Sequence, residues 1–288
     1  MASITNATGF YKPRSQKFNQ RVRTGSVTRT DGDVLDYAIL TKGAGVGDWG
    51  ARAAQMAIDA ITVKLDIGLE KSIPLLIEKA LQSANHQVYW TTRNNPAVFA
   101  SATIALIHNQ KTLYIGNVGE NQVFLQRGER LTQLTLGSRE SFAVEDELVD
   151  QRRDAVLGLA EKAEIDFGFH IGQTDSEANF QLAQSRGVKG LPIKDNDRVV
   201  LSSVDLFIQS GADGAPDLKN GLSIEMISQN KGKRAIDKLV ETLVKLGGVD
   251  EMCGAILLVE PPDHKRSFYS LESIRGMIGG NNLEGAVL

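Results

Sequence analysis

The sequence has one cysteine, Cys253, among its 288 residues. A single thiol excludes a disulfide framework within the chain and a multi-cysteine zinc site, and it is typical of a reducing compartment. No apolar run approaches the about 18 residues that suggest a membrane-spanning helix, and the first residues, MASITNATGFYKPRSQ, lack the apolar core of a secretory signal. We therefore expect a cytoplasmic protein without a membrane span.

Neither sign of charge dominates, because the net charge is −3 and the isoelectric point is about 5.9. Dedicated nucleic-acid-binding domains are usually basic overall, so we do not expect nucleic acid as the partner. Basic side chains are nevertheless concentrated at the start, where residues 1–30 carry six lysines and arginines and no acid. We interpret residues 1–20 as a basic N-terminal arm, which is either solvated or in contact with an acidic partner.

The order of predicted elements indicates an α+β fold. Two strands, 21–29 and 35–41, are joined by the Asp31-Gly32 turn signal. Apolar residues at helical spacing predict helices over 49–65 and 69–89. Further strands are predicted at 99–108, 112–118, 122–126, 130–135, 164–171, 198–203 and 254–260, and further helices at 146–155 and 233–246. Strands followed by two helices and more strands indicate antiparallel sheets rather than a βαβ repeat.

A glycine-rich segment, GVGDWG at residues 45–50, follows a predicted strand and precedes a predicted helix. It matches the G-x-G-x-x-G pattern, in which glycines let a pyrophosphate approach a helix N-terminus. Asp66 lies about where a ribose-binding acid is expected. The chain lacks the strand–helix alternation of a dinucleotide-binding fold, so nucleotide binding through Gly45 to Gly50 is an alternative to a plain tight turn.

Residues 117–122 (NVGENQ) and 130–135 (RLTQLT) lie at the predicted hairpins of the β-rich middle. They resemble the N-V-G-D-S-R and x-L-x-Q-L-T segments of the metal-dependent type-2C, or PPM-type, Ser/Thr protein phosphatases. Other segments resemble that family's blocks in the same order: 100–103 (ASAT), 156–158 (VLG), 197–203 (DRVVLSS) and 250–259 (DEMCGAILLV). The ordered set covers residues 21–260, so the resemblance extends over most of the chain.

The resemblance implies a four-layer αββα sandwich of two antiparallel β-sheets flanked by helix pairs, which agrees with the element order. It also implies hydrolysis of phosphoserine and phosphothreonine, with two Mg²⁺ or Mn²⁺ ions held by oxygen ligands and stabilising the attacking and leaving oxygens. We assign residues 21–260 to this domain. Residues 261–288, which begin with Pro261-Pro262, are interpreted as a C-terminal tail or linker.

Residues at the family's metal-binding positions depart from its pattern. The N-E-D segment corresponds to Asp31-Gly32-Asp33, so one acid is glycine here. The D-G-M-G-G-H segment begins at Lys42-Gly43, so that Lys42 replaces the aspartate that bridges both metals in the family.

The later metal-binding positions are altered too. The family's S-D-G falls on Ser203-Val204-Asp205, which places valine at another ligand position, and its last ligand falls on Asp250, which is retained. Asp205 and Glu251 lie one residue beyond ligand positions. Neighbouring side chains on a strand face opposite sides, so neither replaces a ligand without a bulge or turn.

The charge left at these positions does not suit two divalent cations. The remnant ligands Asp33 and Asp250, together with Lys42, sum to about −1, where the family holds about five acids, and the ammonium of Lys42 repels an approaching dication. We expect no bound metal or other cofactor and no catalytic residues. Two outcomes for Lys42 remain open: it replaces the metals by pairing with Asp33 and Asp250, or it points into solvent.

The sequence therefore predicts an inactive phosphatase-like domain, or pseudophosphatase, that acts as a regulatory or scaffolding module. Its expected partner is a protein, with phosphorylated or acidic segments contacting Arg29 and Lys42; the family's phosphate-binding arginine falls on Thr28, next to Arg29. The alternative is an active phosphatase with Mg²⁺ or Mn²⁺ in a rearranged site. That site is built from Asp33, Asp205, Asp250 and Glu251.

Overall fold

The computed structural model describes residues 3–11, 19–95, 97–128, 130–135, 164–166, 171, 189–203, 234, 237–238 and 252–260. These residues form two β-sheets and a helix pair. The first sheet contains six strands: β2 (Gln20–Thr28), β3 (Val34–Ala44), β4 (Phe99–His108), β5 (Thr112–Val118), β8 (Glu164–Asp166) and β9 (Leu191–Pro192). Their order is β2-β3-β4-β5-β8, and β9 is also paired to β5. All its pairs are antiparallel except β5–β8.

The second sheet is antiparallel and contains both the first and the last strand. Its order is β1-β11-β10-β6-β7, with β1 (Ser3–Tyr11), β6 (Gln122–Arg127), β7 (Arg130–Gln133), β10 (Arg198–Ser202) and β11 (Met252–Glu260). The strand β1 lies within the segment that the sequence suggested as an N-terminal arm, and it pairs with β11 over nine residues. Residues 3–11 are therefore part of the sheet.

Two antiparallel helices cover the first sheet. Helix α1 (Trp49–Ile67) is followed by α2 (Ile73–Thr92), where Ser72 Oγ accepts a hydrogen bond from the Leu75 N–H at 3.4 Å. The short connection between them makes the helices antiparallel neighbours. The start of α1 therefore lies beside the end of α2.

Side-chain alternation along the strands creates two apolar layers. On β3, Leu35, Tyr37 and Ile39 pack against the helices, whereas Ala38 and Leu40 pack between the sheets. The layer between the sheets also includes Val199 and Leu257 of the second sheet, among other residues. Two stacked sheets with a helix layer confirm the predicted α+β sandwich. The helix predicted over 146–155 lies outside the described residues, as does most of that over 233–246, where Arg234, Asp237 and Lys238 are helical.

Among the helices of the described residues, none is long and apolar enough to cross a membrane.

A candidate cleft around Lys42

Lys42 lies where the layer between the two sheets reaches one end of β3. Its position continues the side of β3 that carries Ala38 and Leu40. Its neighbours across the sheet are Gln20 on β2 and Ser101 on β4. The lysine side chain is 36% exposed and is therefore accessible to solvent.

The turn between β5 and β6 supplies the acidic partner of Lys42. Gly119 adopts φ +92° in this turn, a conformation that glycine reaches without strain. Glu120 follows, and its N–H donates to Ser101 Oγ at 3.4 Å. Glu120 Oε2 lies 4.0 Å from Lys42 Nζ, with the glutamate side chain 57% exposed. The segment that resembled the family's N-V-G-D-S-R thus forms one wall of the site.

Buried amides line the same end of the sandwich. Thr103 Oγ1 donates to Asn117 Oδ1 at 2.6 Å, and Asn121 Nδ2 donates to the Leu40 carbonyl at 3.3 Å. Asn121 Oδ1 and both side-chain polar atoms of Gln20 are buried without a hydrogen-bond partner. An unsatisfied buried polar group costs about 1–3 kcal/mol, so these amides have hydrogen-bonding capacity to offer a ligand or water. We call Gln20, Lys42, Ser101, Glu120 and Asn121 the Lys42 cleft.

Glycines bring helix α1 against the strand that carries Lys42. The Gly43 N–H donates to the Asn19 carbonyl at 2.8 Å. A Cβ at Gly43 would collide with the carbonyl group of Gly50 in the first turn of α1. Glycine at residue 43, which the sequence placed in the remnant cleft, therefore serves the packing of β3 against α1.

The loop from Gly45 to Gly50 borders an open groove of about 430 Å³, lined by Val46, Gly47, Asp48, Trp49, Arg52 and Asn95. It does not belong to a dinucleotide-binding unit, because α1 leads into α2 and not into a parallel strand. Asp66, the expected ribose ligand, instead accepts a hydrogen bond from Tyr37 Oη at 3.0 Å. Burial, assisted by this hydrogen bond, raises the pKa of Tyr37 to about 12.

Asp33 is not in the Lys42 cleft, so its pairing with Lys42, part of one of the two outcomes that the sequence left open, is not found. It precedes β3, and eight residue steps separate Val34 from Lys42 on that strand, a span of about 27 Å. Asp33 Oδ1 accepts from Asn109 Nδ2 at 2.8 Å, and Asp33 Oδ2 lies 2.7 Å from His108 Nε2. Hydrogen bonds from Asn109 and then His108 hold the pKa of Asp33 below its ordinary value.

Arg29 also lies at the turn end of the β2–β3 hairpin, away from Lys42. Its Nη2 donates to the Glu70 carbonyl at 2.8 Å and lies 3.3 Å from Asp31 Oδ2. The two predicted phosphate-binding candidates, Arg29 and Lys42, therefore lie at opposite ends of the hairpin, because β2 and β3 pair antiparallel.

Four residues of the predicted remnant cleft lie outside the described residues: Val204, Asp205, Asp250 and Glu251. The described strand β10 ends just before them, with Ser203 buried. Pairing between Lys42 and Asp250 accordingly stays a prediction.

The described donor set does not fit a pair of divalent cations. Within the part of the chain that the structure describes, no group of three His, Cys, Asp or Glu side chains could hold a metal ion. The Lys42 cleft brings one carboxylate, Glu120, against one ammonium and otherwise neutral groups. Divalent magnesium and manganese need several oxygen ligands with negative charge, and the described part of the Lys42 cleft supplies one carboxylate, that of Glu120.

Solved structures of PPM-type phosphatases share the fold of this chain. The serine/threonine phosphatase PstP/Ppp of Mycobacterium tuberculosis is 14% identical, covering 91% of this chain and 100% of its own, with a TM-score of 0.59. The PPM Ser-Thr phosphatase MsPP of Mycobacterium smegmatis, in complex with cacodylate, is 14% identical, covering 90% and 98%, with a TM-score of 0.61. The catalytic domain of PstP in complex with two manganese ions is 15% identical, covering 91% and 100%, with a TM-score of 0.61.

No family model matches the chain, and no curated protein matches it. The structural likeness confirms the resemblance found in the sequence at the level of the fold: this chain has the PPM-type Ser/Thr phosphatase fold.

Proposed function

We propose that this chain is a catalytically inactive protein of the PPM-type phosphatase fold that acts in the cytoplasm as a regulatory or scaffolding binding module. The observation that carries the proposal is the Lys42 ammonium at the end of the layer between the sheets, with the carboxylate of Glu120 4.0 Å away. The resemblance assigns the metal-bridging aspartate to this position. A dication a few ångströms from an ammonium meets a repulsion of several kcal/mol, even at an effective dielectric constant near 20.

The cleft is chemically suited to hold an anionic side chain. Lys42 supplies a positive charge at the rim. The unsatisfied amide of Gln20 adds a buried hydrogen-bond donor on the neighbouring strand. A carboxylate or phosphate that accepts hydrogen bonds from charged donors gains more than from neutral ones. We therefore propose a protein partner whose phosphorylated or acidic segment enters the Lys42 cleft.

The test of inactivity combines turnover and metal binding. The full chain is assayed with a small aryl phosphate ester in millimolar Mn²⁺ or Mg²⁺, and Mn²⁺ binding is followed by calorimetry. We expect no turnover above the buffer and no measurable binding. Lys42→Asp should bring Mn²⁺ binding into the measurable range, whereas Lys42→Gln, which removes the charge without adding a ligand, should bind Mn²⁺ at least tenfold more weakly than Lys42→Asp. Manganese-dependent turnover by the unmodified chain contradicts the proposal.

The ligand is tested separately with a phosphoserine peptide and its unphosphorylated twin. We expect the phosphorylated peptide to bind at least tenfold more tightly to the unmodified chain and the two peptides to bind equally to Lys42→Gln. Equal binding of both peptides to the unmodified chain contradicts the phospho-ligand part of the proposal.

The alternative is an active phosphatase that uses Asp205, Asp250 and Glu251, and it is favoured by the two manganese ions in the PstP complex that shares this fold. Asp33 does not contribute to such a site, because it lies at the other end of β3. Manganese-dependent turnover that Asp250→Ala abolishes would establish this alternative.

A further inference from the structure

Both tryptophans of the chain belong to the helix pair and are partly exposed. The sequence has only two: Trp49 begins α1 and is 36% exposed, and Trp90 lies near the end of α2 and is 49% exposed. Since the helices are antiparallel, these positions lie at the same end of the pair. Asn95, just past the end of α2, also lines the groove beside Trp49, which agrees with this placement of the two helix ends.

Each tryptophan is covered by an arginine. The guanidinium of Arg52 lies 5.3 Å from the Trp49 ring centroid, and that of Arg93 lies 5.0 Å from the Trp90 ring centroid. Val46, which lines the groove beside Trp49, is 81% exposed. We call Val46, Trp49, Arg52, Trp90 and Arg93 the tryptophan surface. Exposed tryptophan next to arginine is the composition typical of the energetic centre of a protein interface.

The charges of this surface are predominantly basic. Among the ion pairs of the described residues, none involves Arg52 or Arg93. Asp48 is the acid that lines the groove, and it has an interaction of its own. The two arginines are thus available to carboxylates that approach from outside.

We propose that the tryptophan surface binds an acidic peptide segment of a partner protein, with one apolar side chain in the groove beside Trp49 and carboxylates on Arg52 and Arg93. The groove of about 430 Å³ accommodates a single aromatic or branched side chain, and Asn95 lines it as a polar contact. Carboxylates pair with guanidinium groups through two parallel hydrogen bonds. Lys42 takes no part, so this inference goes beyond the proposed function and does not depend on it.

An acidic peptide fits better than single-stranded nucleic acid, although arginine and tryptophan also bind bases. Nucleic-acid binding needs a positively charged groove that follows the backbone over several nucleotides. The tryptophan surface offers two arginines next to Asp48, on a chain with a net charge of −3.

The experiment selects the ligand from a phage-displayed library of random 12-residue peptides, using the full chain as bait. We expect the enriched peptides to combine Asp or Glu with one Phe, Leu or Ile. A synthetic enriched peptide without tryptophan should then alter the intrinsic fluorescence, because Trp49 and Trp90 are the only tryptophans in the chain. No enrichment, enrichment of basic peptides or an unchanged fluorescence overturns the proposal.

Charge reversal tests the contacts. Arg52→Glu and Arg93→Glu should each weaken the selected peptide at least tenfold. Arg130→Glu, the same change at an exposed position of β7, should leave the affinity within twofold. Lys42→Asp should also leave it within twofold, which separates failure here from failure of the proposed function. Loss of affinity in Lys42→Asp without loss in Arg52→Glu and Arg93→Glu would place the peptide in the Lys42 cleft and overturns the proposal. Equal loss in all four variants, or tighter binding of a single-stranded RNA 12-mer than of the peptide, also overturns it.

Discussion

Lys42 Nζ lies 4.0 Å from Glu120 Oε2, across the gap between the end of β3 and the turn that joins β5 to β6. The two side chains are 36% and 57% exposed, so water screens their attraction. The pair therefore defines the electrostatics of the cleft more than the stability of the fold.

Glu120→Gln should change the free energy of unfolding by less than about 1 kcal/mol, as is usual for an exposed ion pair. The same substitution should strengthen phosphopeptide binding about threefold or more, because it removes the carboxylate that competes for Lys42. Urea unfolding and calorimetry measure the two effects. Weaker phosphopeptide binding by Glu120→Gln would show that Glu120 contacts the ligand favourably.

Arg127→Ala should destabilise the protein by about 1–3 kcal/mol, because it removes the charged partner of a buried carboxylate that keeps the Lys194 N–H as a donor at 2.8 Å. Arg127 Nη2 and Nε donate to the two oxygens of Asp197 at 2.6 and 2.9 Å, and Asp197 is 1% exposed. Arg127→Lys should recover part of the loss. Arg130→Ala is the control at an exposed arginine nearby. Equal urea midpoints for the two alanine variants would contradict this prediction.

Gly43→Ala should cost about 1–3 kcal/mol, in the range of substitutions that overfill a packed core. The added Cβ would meet the Gly50 carbonyl and would push α1 away from β3. Gly47→Ala is the control, because its Cβ would meet nothing within 4 Å and only its φ of +66° is unfavourable; about 1–2 kcal/mol is expected there. Thermal or urea unfolding measures both, and a smaller loss for Gly43→Ala would be inconsistent with the close packing.

The stability contributed by Asp33 should depend on pH. Hydrogen bonds from Asn109 and His108 hold its pKa below the ordinary 3.8. A carboxyl group whose pKa is lower in the folded state stabilises the fold above its unfolded pKa and loses this effect as the pH falls through the folded value. The difference in unfolding free energy between the unmodified chain and Asp33→Asn should therefore be largest above about pH 4 and shrink below it.

Urea unfolding at a series of pH values from 6 to 3 measures this difference. Asp195→Asn, in the turn before β10, makes the same charge change in another exposed segment and corrects for the loss of one carboxylate. A difference between Asp33→Asn and the unmodified chain that stays constant across this range would refute the assignment.

The local pattern of apolar and turn-forming residues was sufficient to predict most of the helices and strands that the structure describes. The predicted strands 99–108 and 112–118 coincide with β4 and β5, because their apolar runs end at hairpin turns. The helix pair was predicted to within a few residues from its apolar spacing. The strand β1 was missed because SITNATGFY has weak apolar alternation and because its pairing is with β11, at the far end of the sequence.

The candidate site was predicted in part. Lys42 was identified by motif position, but Asp33 was placed beside it by an alignment that ignored the hairpin. Thr28 pairs with Val34, so strand positions equally far from the turn face each other, and Gln20 is opposite Lys42. This register could have been counted outward from the predicted Asp31-Gly32 turn. Glu120 lies in the segment that resembled the family's N-V-G-D-S-R, but its place beside Lys42 was not predicted, because only the packing of the β5–β6 turn brings it to β3.

The pairing of β1 with β11 joins Ser3 to Glu260. During synthesis β1 leaves the ribosome well before β11, because residues 12–251 lie between the two strands. Until the two strands pair, β1 and the edge of β11 that it covers have unpaired backbone N–H and C=O groups. Unpaired strand edges favour association with other chains. In the cell, the yield of native protein should consequently depend on how quickly β11 is translated and on chaperones that shield β1 until then.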